Sequence, residues 1–356
     1  MTSPKPFIRK AFVALLAAAL STLALASVVS TAATSASADT VPAPVRELGI
    51  YPGYANVGGV VSTEAWLGRQ FKYVTQFGDT NAASFTSSVW GEVAKAGAMQ
   101  LLQDRVTLVE AVPLAFGGII DANTAGGQAL ARGYLTATVN GTNDSLFRQA
   151  AVMIRDGGFP DAILRLGWEF DGGWYPWSSN GNCALWQTAF RHVHDVFTSV
   201  SPNFRFDWTG NSTSLKLQAS CAYPGDAYVD IIGLDNYDMG LAAPYNSATH
   251  TWADPNTAFT TAITPNLTFQ RDFAIAHGKQ VSFPEWGLFS GDGHILGGGD
   301  NPTYIQRMHD WMAALPATGP GSLAYQAYFN YDDGSVAKFN LKNFPTSQAL
   351  YRSLFR

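Results

Sequence analysis

The sequence predicts an α/β protein built as a single (β/α)8 barrel, or TIM barrel, from three observations. Eight strand-like runs follow one another along residues 46–331, with helix-like segments between them. Several runs are apolar on both faces, as are strands of a parallel sheet that helices cover. The turn after the first run reads Tyr51-Pro-Gly-Tyr-Ala55 and lacks the glycine-rich phosphate pattern of the alternative, a doubly wound sheet.

The predicted strands are rich in aliphatic and aromatic residues, which favour extended backbone. In chain order they are Arg46–Tyr51, Phe71–Phe77, Val106–Leu114, Ala162–Phe170, Phe204–Trp208, Val229–Tyr237, Gln280–Trp286 and Leu323–Tyr331. The predicted helices carry apolar residues three and four positions apart, which places these residues on one helix face. They are Ser84–Ala96, Asp144–Arg155, Leu185–Val200, Thr303–Leu315 and Thr346–Phe355.

Residues 1–38 have the layout of a secretory signal peptide. Lys5, Arg9 and Lys10 precede an apolar run, and Ala36-Ser-Ala38 forms a small-residue cleavage site before Asp39. An uncleaved membrane anchor is the alternative, because the apolar run is long enough to span a bilayer. We expect a secreted mature chain, residues 39–356, that forms one catalytic domain and is not held in a membrane.

The charge balance argues against nucleic acid as a partner. The chain carries 22 basic and 27 acidic residues, and removal of the signal peptide changes the net charge from −5 to −8. A protein with this balance has no positive field to hold phosphates. With 13% aromatic residues, the chain also has the composition of a folded domain.

Two cysteines, Cys183 and Cys221, remain in the mature chain. An even pair in an exported protein predicts one disulfide, with two buried free thiols as the alternative. Neither has a Cys-x-x-Cys partner, so thiol redox catalysis has no support. We expect no cofactor and no metal site, and a monomer is the default for a secreted chain of this kind.

Two glutamates stand at matched positions in the predicted barrel. The fourth strand runs through Glu169 into Asp-Gly-Gly-Trp-Tyr-Pro-Trp177, and the seventh ends in Pro284-Glu-Trp-Gly287. In barrels of this kind, the chemistry is carried at the carboxyl ends of the strands. Hydrolysis of a glycosidic bond needs two carboxyl groups in different environments, one protonated and one ionised. The alternative is that one or both only pair with a barrel arginine such as Arg165.

These segments resemble glycoside hydrolase family 26. Arg165-x-x-x-Glu169-Phe-x-Gly-x-Trp-Tyr-Pro-Trp177 is similar to the acid/base segment of that family, and Tyr223–Tyr237 is similar to its sixth-strand segment. The resemblance implies a clan A barrel and a retaining mechanism, with Glu169 as acid/base and Glu285 as nucleophile. It also implies that Tyr237 hydrogen-bonds the nucleophile and that Arg165 helps to keep it ionised.

One residue departs from the family pattern. Mannanases of the family have His before the acid/base glutamate, and this chain has Trp168. The substrate is therefore open among β-mannan, β-1,3-xylan, β-glucan and bacterial wall or exopolysaccharides. Sugar rings stack on aromatic planes, and their hydroxyls need polar partners. The candidate substrate-binding residues, with packing or capping as the alternative for most of them, are Trp168, Trp174, Trp177, Trp208, Asp235, Asn236, Trp286 and Tyr328.

The sequence therefore predicts a secreted retaining glycoside hydrolase that cleaves a polysaccharide internally. A carbohydrate-binding protein that has lost catalysis is the alternative from another class, and the presence of both glutamates argues against it. A serine esterase has less support, because the chain lacks the Gly-x-Ser-x-Gly nucleophile turn.

Overall fold

Eight parallel strands close into a barrel in the computed structural model, which describes residues 45–94, 105–212, 215–240, 245–246, 251–252, 254–291, 296–332, 334 and 336–356. Each strand pairs with the next along the chain, and the eighth pairs with the first. The strands are β1 (Leu48–Tyr51), β2 (Tyr73–Phe77), β3 (Thr107–Val112), β4 (Ile163–Leu166), β5 (Arg205–Asn211), β6 (Ile231–Gly240), β7 (Gln280–Leu288) and β8 (Leu323–Phe329). The predicted (β/α)8 fold is confirmed, and the predicted signal peptide lies outside the described residues.

Helices cover the outside of the barrel. The described helices are α1 (Val57–Leu67), α2 (Ala82–Ala94), α3 (Ala125–Val139), α4 (Asp144–Asp156), α5 (Cys183–Thr198), α6 (Leu215–Ala222), α7 (Thr264–Ala276), α8 (Pro302–Ala313) and α9 (Pro345–Phe355). The five predicted helices correspond to α2, α4, α5, α8 and α9, and the last two residues of the first prediction lie outside the described ranges. None of the described helices is long and apolar enough to cross a membrane.

Shorter elements lie in the connections. Pro255–Ala258 and the π-helix Phe259–Ile263 lead into α7, and Leu341–Asn343 is a 3-10 turn before α9. Tyr245–Asn246 pairs with Thr251–Trp252, and Leu296–Gly297 pairs with the end of β6, both antiparallel.

The core has two layers, because successive residues of a strand point to opposite faces. The larger layer fills the space between strands and helices and includes Trp186, Phe190 and Trp208. The smaller layer lies inside the barrel and includes Tyr73, Ile231 and Tyr325, all buried. Polar side chains that also point into the barrel, next to this smaller layer, therefore lie in a closed space with little access to water.

The predicted disulfide between Cys183 and Cys221 is present. It joins the first residue of α5 to the last turn of α6, two helices that flank β5. It therefore closes a loop of 38 residues around a strand that contributes to the site described below.

Candidate active site

Glu169 lies in a strained turn just beyond β4. The strand was expected to run to Phe170 but ends at Leu166, so Glu169 is three residues past its end. The φ of Glu169 is +49°, in the left-handed region that residues with a Cβ rarely adopt. The turn is held by backbone hydrogen bonds from Glu169 to Thr209 (3.0 Å) and from Gly172 to Glu169 (2.9 Å). Such strain in an over-determined turn is typical of functional positions.

The Glu169 carboxyl group is 5% exposed and has two side-chain partners, both of them donors. Asn211 Nδ2 donates to Oε1 at 2.7 Å, and Trp174 Nε1 donates to Oε2 at 3.2 Å. Burial, followed by the negative charge of Glu285, raises the pKa of Glu169 to about 8, while the Asn211 hydrogen bond acts in the opposite direction. Glu169 therefore holds its proton at neutral pH.

Glu285 lies at an irregularity within β7 and not at the strand's end. The register of β7 shifts by one residue against both of its neighbours, β6 and β8, across Pro284 and Glu285. A β-bulge of this kind re-aims a side chain and is frequent beside active sites. Pro284 suits the bulge because it has no N–H that the ladder would leave unpaired.

The Glu285 carboxylate has the opposite kind of environment. Arg165 Nη2 donates to its Oε1 at 2.8 Å, and the Tyr237 hydroxyl donates to its Oε2 at 2.9 Å. Although burial disfavours the charge of Arg165, the carboxylates of Asp235 and Glu285 hold its pKa above the usual value. Burial and then the charge of Glu285 raise the pKa of Tyr237, so it remains a donor. A fixed cation and a fixed hydroxyl thus stabilise the ionised form of Glu285.

Asp235 is the second partner of Arg165 and not an exposed sugar ligand. Arg165 Nη2 donates to the two Asp235 oxygens at 2.9 and 2.6 Å, and both side chains are fully buried. Burial raises the pKa of Asp235 well above its usual value, and Arg165 opposes this shift. The structure therefore places Asp235, predicted to contact substrate, in an enclosed position where its side chain is committed to the guanidinium.

The aromatic residues after Glu169 form a layered wall. Trp177 Nε1 donates to the Trp168 carbonyl at 2.9 Å, and Trp168 Nε1 donates to the Tyr175 hydroxyl at 3.1 Å. Tyr175 stacks on Trp177, with ring centroids 4.4 Å apart and planes 11° apart. Trp174 and Trp177 are fully buried and Trp168 is 4% exposed, whereas Tyr175 is half-buried. The member of this wall with the most exposed surface is thus Tyr175.

Four of the predicted substrate-binding residues have side chains that point outward from the barrel. Trp208 stacks on Phe170 and on Phe273 of α7. Asn236 donates to the Tyr304 hydroxyl of α8 at 3.0 Å. The other two, Trp286 and Tyr328, pack against each other and against Tyr351 of α9. Each occupies a strand position whose side chain faces the helices, so none is directed into the barrel.

Two residues at the site were missed by the sequence reasoning. Asn211, the donor to Glu169, is the last residue of β5, which was predicted to end at Trp208. The polar triplet Thr209-Gly-Asn211 that continues the run was the available signal. The backbone N–H of Asn211 donates to Asp171 Oδ1 at 2.8 Å, which ties β5 to the turn that carries Glu169. The other, Tyr175, stood unremarked between two predicted tryptophans.

No group of three or more His, Cys, Asp or Glu side chains with metal-binding geometry occurs in the described ranges. The site holds two carboxyl groups in different environments: Glu169 is buried away from a cation and keeps its proton, and Glu285 contacts the Arg165 guanidinium and the Tyr237 hydroxyl. This division lets one group donate a proton while the other attacks or polarises the same bond.

The model of glycosyl hydrolase family 26 matches residues 137–285, a range that runs from α3 to Glu285 itself. This finding confirms the family resemblance of the motifs. The mannan endo-1,4-beta-mannosidase of Bifidobacterium adolescentis is 26% identical over 252 residues, which are 64% of this chain and 23% of that protein. Endoglucanase H of Acetivibrio thermocellus is 35% identical over 91 residues, or 22% of this chain and 10% of that protein. The chain thus matches less than a quarter of either relative's length.

Solved structures agree on the fold. A double mutant of the Cellulomonas fimi endo-beta-1,4-mannanase superposes with a TM-score of 0.59 and 15% identity, covering 87% of this chain and 71% of that one. The catalytic domain of a Bacillus sp. endo-beta-1,4-mannanase gives a TM-score of 0.56 with 16% identity, and the match covers 87% of this chain and 86% of that one. At these identities the likeness concerns the barrel architecture.

Proposed function

We propose that this chain, a (β/α)8 barrel with a glycosyl hydrolase family 26 region, is a secreted retaining glycoside hydrolase that cleaves a polysaccharide internally. The observation that carries the proposal is the asymmetry of the two glutamates. Burial holds the proton on Glu169, whereas Arg165 and Tyr237 stabilise the charge on Glu285. Two carboxyl groups that differ in this way are what a double displacement requires.

In the first step, a Glu285 oxygen attacks the anomeric carbon and forms a covalent glycosyl ester. The bond from that carbon to the leaving oxygen breaks, and Glu169 gives its proton to that oxygen. In the second step, Glu169, now ionised, takes a proton from water as the water oxygen attacks the same carbon. The ester bond breaks, Glu285 is released as a carboxylate, and the product keeps the configuration of the substrate.

The Glu169 turn suits both steps. Its left-handed backbone conformation and the hydrogen bond to Thr209 fix the carboxyl group relative to β5. Asn211 and Trp174 both donate to its oxygens, and these bonds remain favourable when the group becomes an anion after the first step. A residue that must act first as an acid and then as a base needs stabilisation of both forms.

For the substrate we propose β-mannan first, because the relative matched over the larger part of this chain is named as a mannan endo-1,4-beta-mannosidase. A β-glucan is the second candidate, supported by the stretch similar to an endoglucanase. Trp168 is a reason to test both polymers. It stands where family mannanases have an imidazole, and its own N–H is committed to Tyr175. β-1,3-Xylan and bacterial wall polymers complete the set.

The test is hydrolysis by the mature chain, residues 39–356, of mannan, β-1,3-xylan, mixed-linkage glucan and bacterial wall polysaccharide. Glu169→Ala and Glu285→Ala are compared with Asp161→Asn, which changes an exposed carboxylate before β4. Reducing ends released by wild type and the control, but by neither glutamate variant, would support the proposal. Tight binding without release by wild type would favour a carbohydrate-binding protein instead.

The retaining course has its own measurement. Proton NMR of the first product formed from a defined oligosaccharide distinguishes retention from inversion before the anomers equilibrate. We expect retention, and an inverted first product would overturn the nucleophile role of Glu285. The size distribution of early products separates internal cleavage, which gives a range of lengths, from release of one unit at chain ends.

A further inference from the structure

A cavity of about 240 Å³ lies outside the barrel wall, between α1 and the segment that follows β8. Its lining includes Pro52, directly after β1, and Asn330, directly after β8, and it does not include Glu169 or Glu285. The cavity is therefore at the same end of the barrel as the two glutamates but separate from them. We call this cavity the α1 groove; it is lined by one face of α1, by Pro52 and Asn56 before it, and by Asn330, Asn340, Leu341, Lys342 and Gln348.

The α1 side of the groove is one face of that helix. Gly59, Ser62, Thr63 and Trp66 recur at helical spacing and all line the cavity. The three small residues leave the space open, and the indole stands at one end of it. Trp66 is half-buried and stacks on the buried Tyr351 of α9, with centroids 6.4 Å apart and planes 21° apart. Its ring is thus held in place before any ligand arrives.

The groove also carries polar groups that the protein leaves unused. Asn330 Oδ1 accepts a hydrogen bond from the Leu341 N–H, but Asn330 Nδ2 has no partner within the described part of the chain. The same is true, within those ranges, of Trp66 Nε1 and of the Gln348 side-chain amide. In contrast, the Asn56 side chain is used, because it accepts from Gly59 N–H and donates to the Pro52 carbonyl. The unused groups therefore come from three separate elements and converge on one space.

Charge narrows the class of ligand. Lys342 is the one charged residue in the lining, and its Nζ is 3.9 Å from the Asp332 carboxylate. The remaining lining consists mainly of amides, hydroxyls, glycine and one indole. The Ser62, Thr63 and Asn340 side chains already have partners, so the groups open to a ligand are those of Asn330, Trp66 and Gln348. A neutral ligand with many hydroxyls can pair with these three, whereas an apolar peptide or lipid cannot. A groove of about 240 Å³ suits a short stretch of sugar.

We propose that the α1 groove binds a sugar unit of the same polysaccharide outside the catalytic cleft. This inference rests on the proposed function for the identity of the polymer. A second contact on one long chain raises the effective concentration of that chain at the cleft, and a short oligosaccharide cannot use both sites at once. The groove should therefore matter for polymers and not for short substrates.

The test compares Gln348→Ala and Trp66→Phe, which removes the indole N–H but keeps a ring against Tyr351. Gln149→Ala, an exposed glutamine on α4 outside the groove, is the matched control. Binding is measured as adsorption to insoluble mannan in the Glu285→Gln background, and activity as hydrolysis of mannotetraose and of insoluble mannan. For the two groove variants we expect roughly 3- to 10-fold weaker adsorption and slower polymer hydrolysis, with unchanged hydrolysis of mannotetraose.

The outcomes separate this inference from the proposed function. Equal adsorption and equal polymer hydrolysis in the groove variants and the control would overturn the proposal that the α1 groove binds sugar, even where mannotetraose is cleaved. If mannotetraose and the polymers are not cleaved, adsorption that still depends on Gln348 and Trp66 would support the groove alone. No adsorption of the Glu285→Gln protein to insoluble mannan, xylan or glucan would also overturn it. Loss of mannotetraose hydrolysis in both groove variants would overturn it as well, because their effect would then not be specific to polymers.

Discussion

The proton on Glu169 has a cost in stability that a single substitution exposes. Glu169→Gln keeps the shape of the side chain and cannot ionise. The pKa of Glu169 rises from 4.5 to about 8 on folding. Between these two pH values the folded protein binds one proton more than the unfolded chain does, so the free energy of unfolding falls as pH rises. The variant lacks this dependence, and its stability relative to wild type should rise over the same range.

The magnitude follows from the same pKa change. Each pH unit between 4.5 and 8 is worth about 1.4 kcal/mol, which amounts to about 5 kcal/mol if Glu169 titrates alone. The charge of Glu285 contributes to the shift and is shared between the two groups, so we expect a rise of about 3–5 kcal/mol. The new side-chain amide must also place its NH₂ group near Asn211 or Trp174, which are both donors. That clash lowers stability by an amount that does not depend on pH.

The assay is urea unfolding of both proteins, followed by tryptophan fluorescence, at pH 5, 6, 7, 8 and 9. The quantity of interest is how the difference in unfolding free energy between Glu169→Gln and wild type changes with pH. The amide clash shifts this difference by the same amount at every pH. Asp161→Asn is the control and should give a curve parallel to that of wild type. A Glu169→Gln curve that is also parallel to wild type would refute the reasoning, since it would mean that the folded protein does not hold this proton.

Further predictions concern the partners of the two glutamates. Asn211→Ala removes a hydrogen bond that lowers the pKa of Glu169, so the alkaline limb of kcat/KM should move to higher pH, and an unmoved limb would contradict the assignment of Asn211. Tyr237→Phe removes one of two donors to Glu285 and should lower kcat by roughly 10- to 100-fold with unchanged circular dichroism. Arg165→Met leaves Asp235 and Glu285 without the cation that both contact and should destabilise the fold by about 3–5 kcal/mol, measured by urea unfolding, and an unchanged unfolding midpoint would contradict this role of Arg165. Trp168→His introduces the residue of family mannanases and should raise the ratio of mannan to glucan hydrolysis, and an unchanged ratio would show that position 168 does not set specificity.

The barrel could be predicted because its strands carry a strong local signal. Buried parallel strands need apolar residues on both faces, and several of the eight runs stand out for that reason. The helices were predicted less completely. Four of the nine described helices, α1, α3, α6 and α7, were not predicted. α1 and α3 each contain two or more glycines, and small residues where a helix would show an apolar stripe. Their stability comes from packing on the barrel, and packing leaves a weak trace in the pattern.

The proposed catalytic pair could be predicted as residue types, but its geometry could not. Glu169 was expected at a strand end and lies in a left-handed turn, and Glu285 was expected at a strand end and lies on a bulge. A bulge adds one residue to a strand without a composition of its own, although Pro284 is consistent with one. The added residue decides whether each residue after it points into the barrel or out of it. The sequence does not show the bulge, so the sequence does not reveal that Trp286 lies against the helices and not in the cleft.

The role of each carboxyl group depends on where Arg165 lies. Asp207, Asp235 and Glu285 are buried inside the barrel with this one arginine among the described inward-facing side chains, and burial raises the pKa of the two aspartates. One cation cannot balance all of these groups, and its guanidinium contacts Asp235 and Glu285. Glu285 also accepts a hydrogen bond from the Tyr237 hydroxyl, whereas Glu169, across the site, receives only neutral donors. The proposed division between acid and nucleophile thus follows from the burial of Glu169 away from the cation and from the position of Arg165 on β4, and not from the two glutamates themselves.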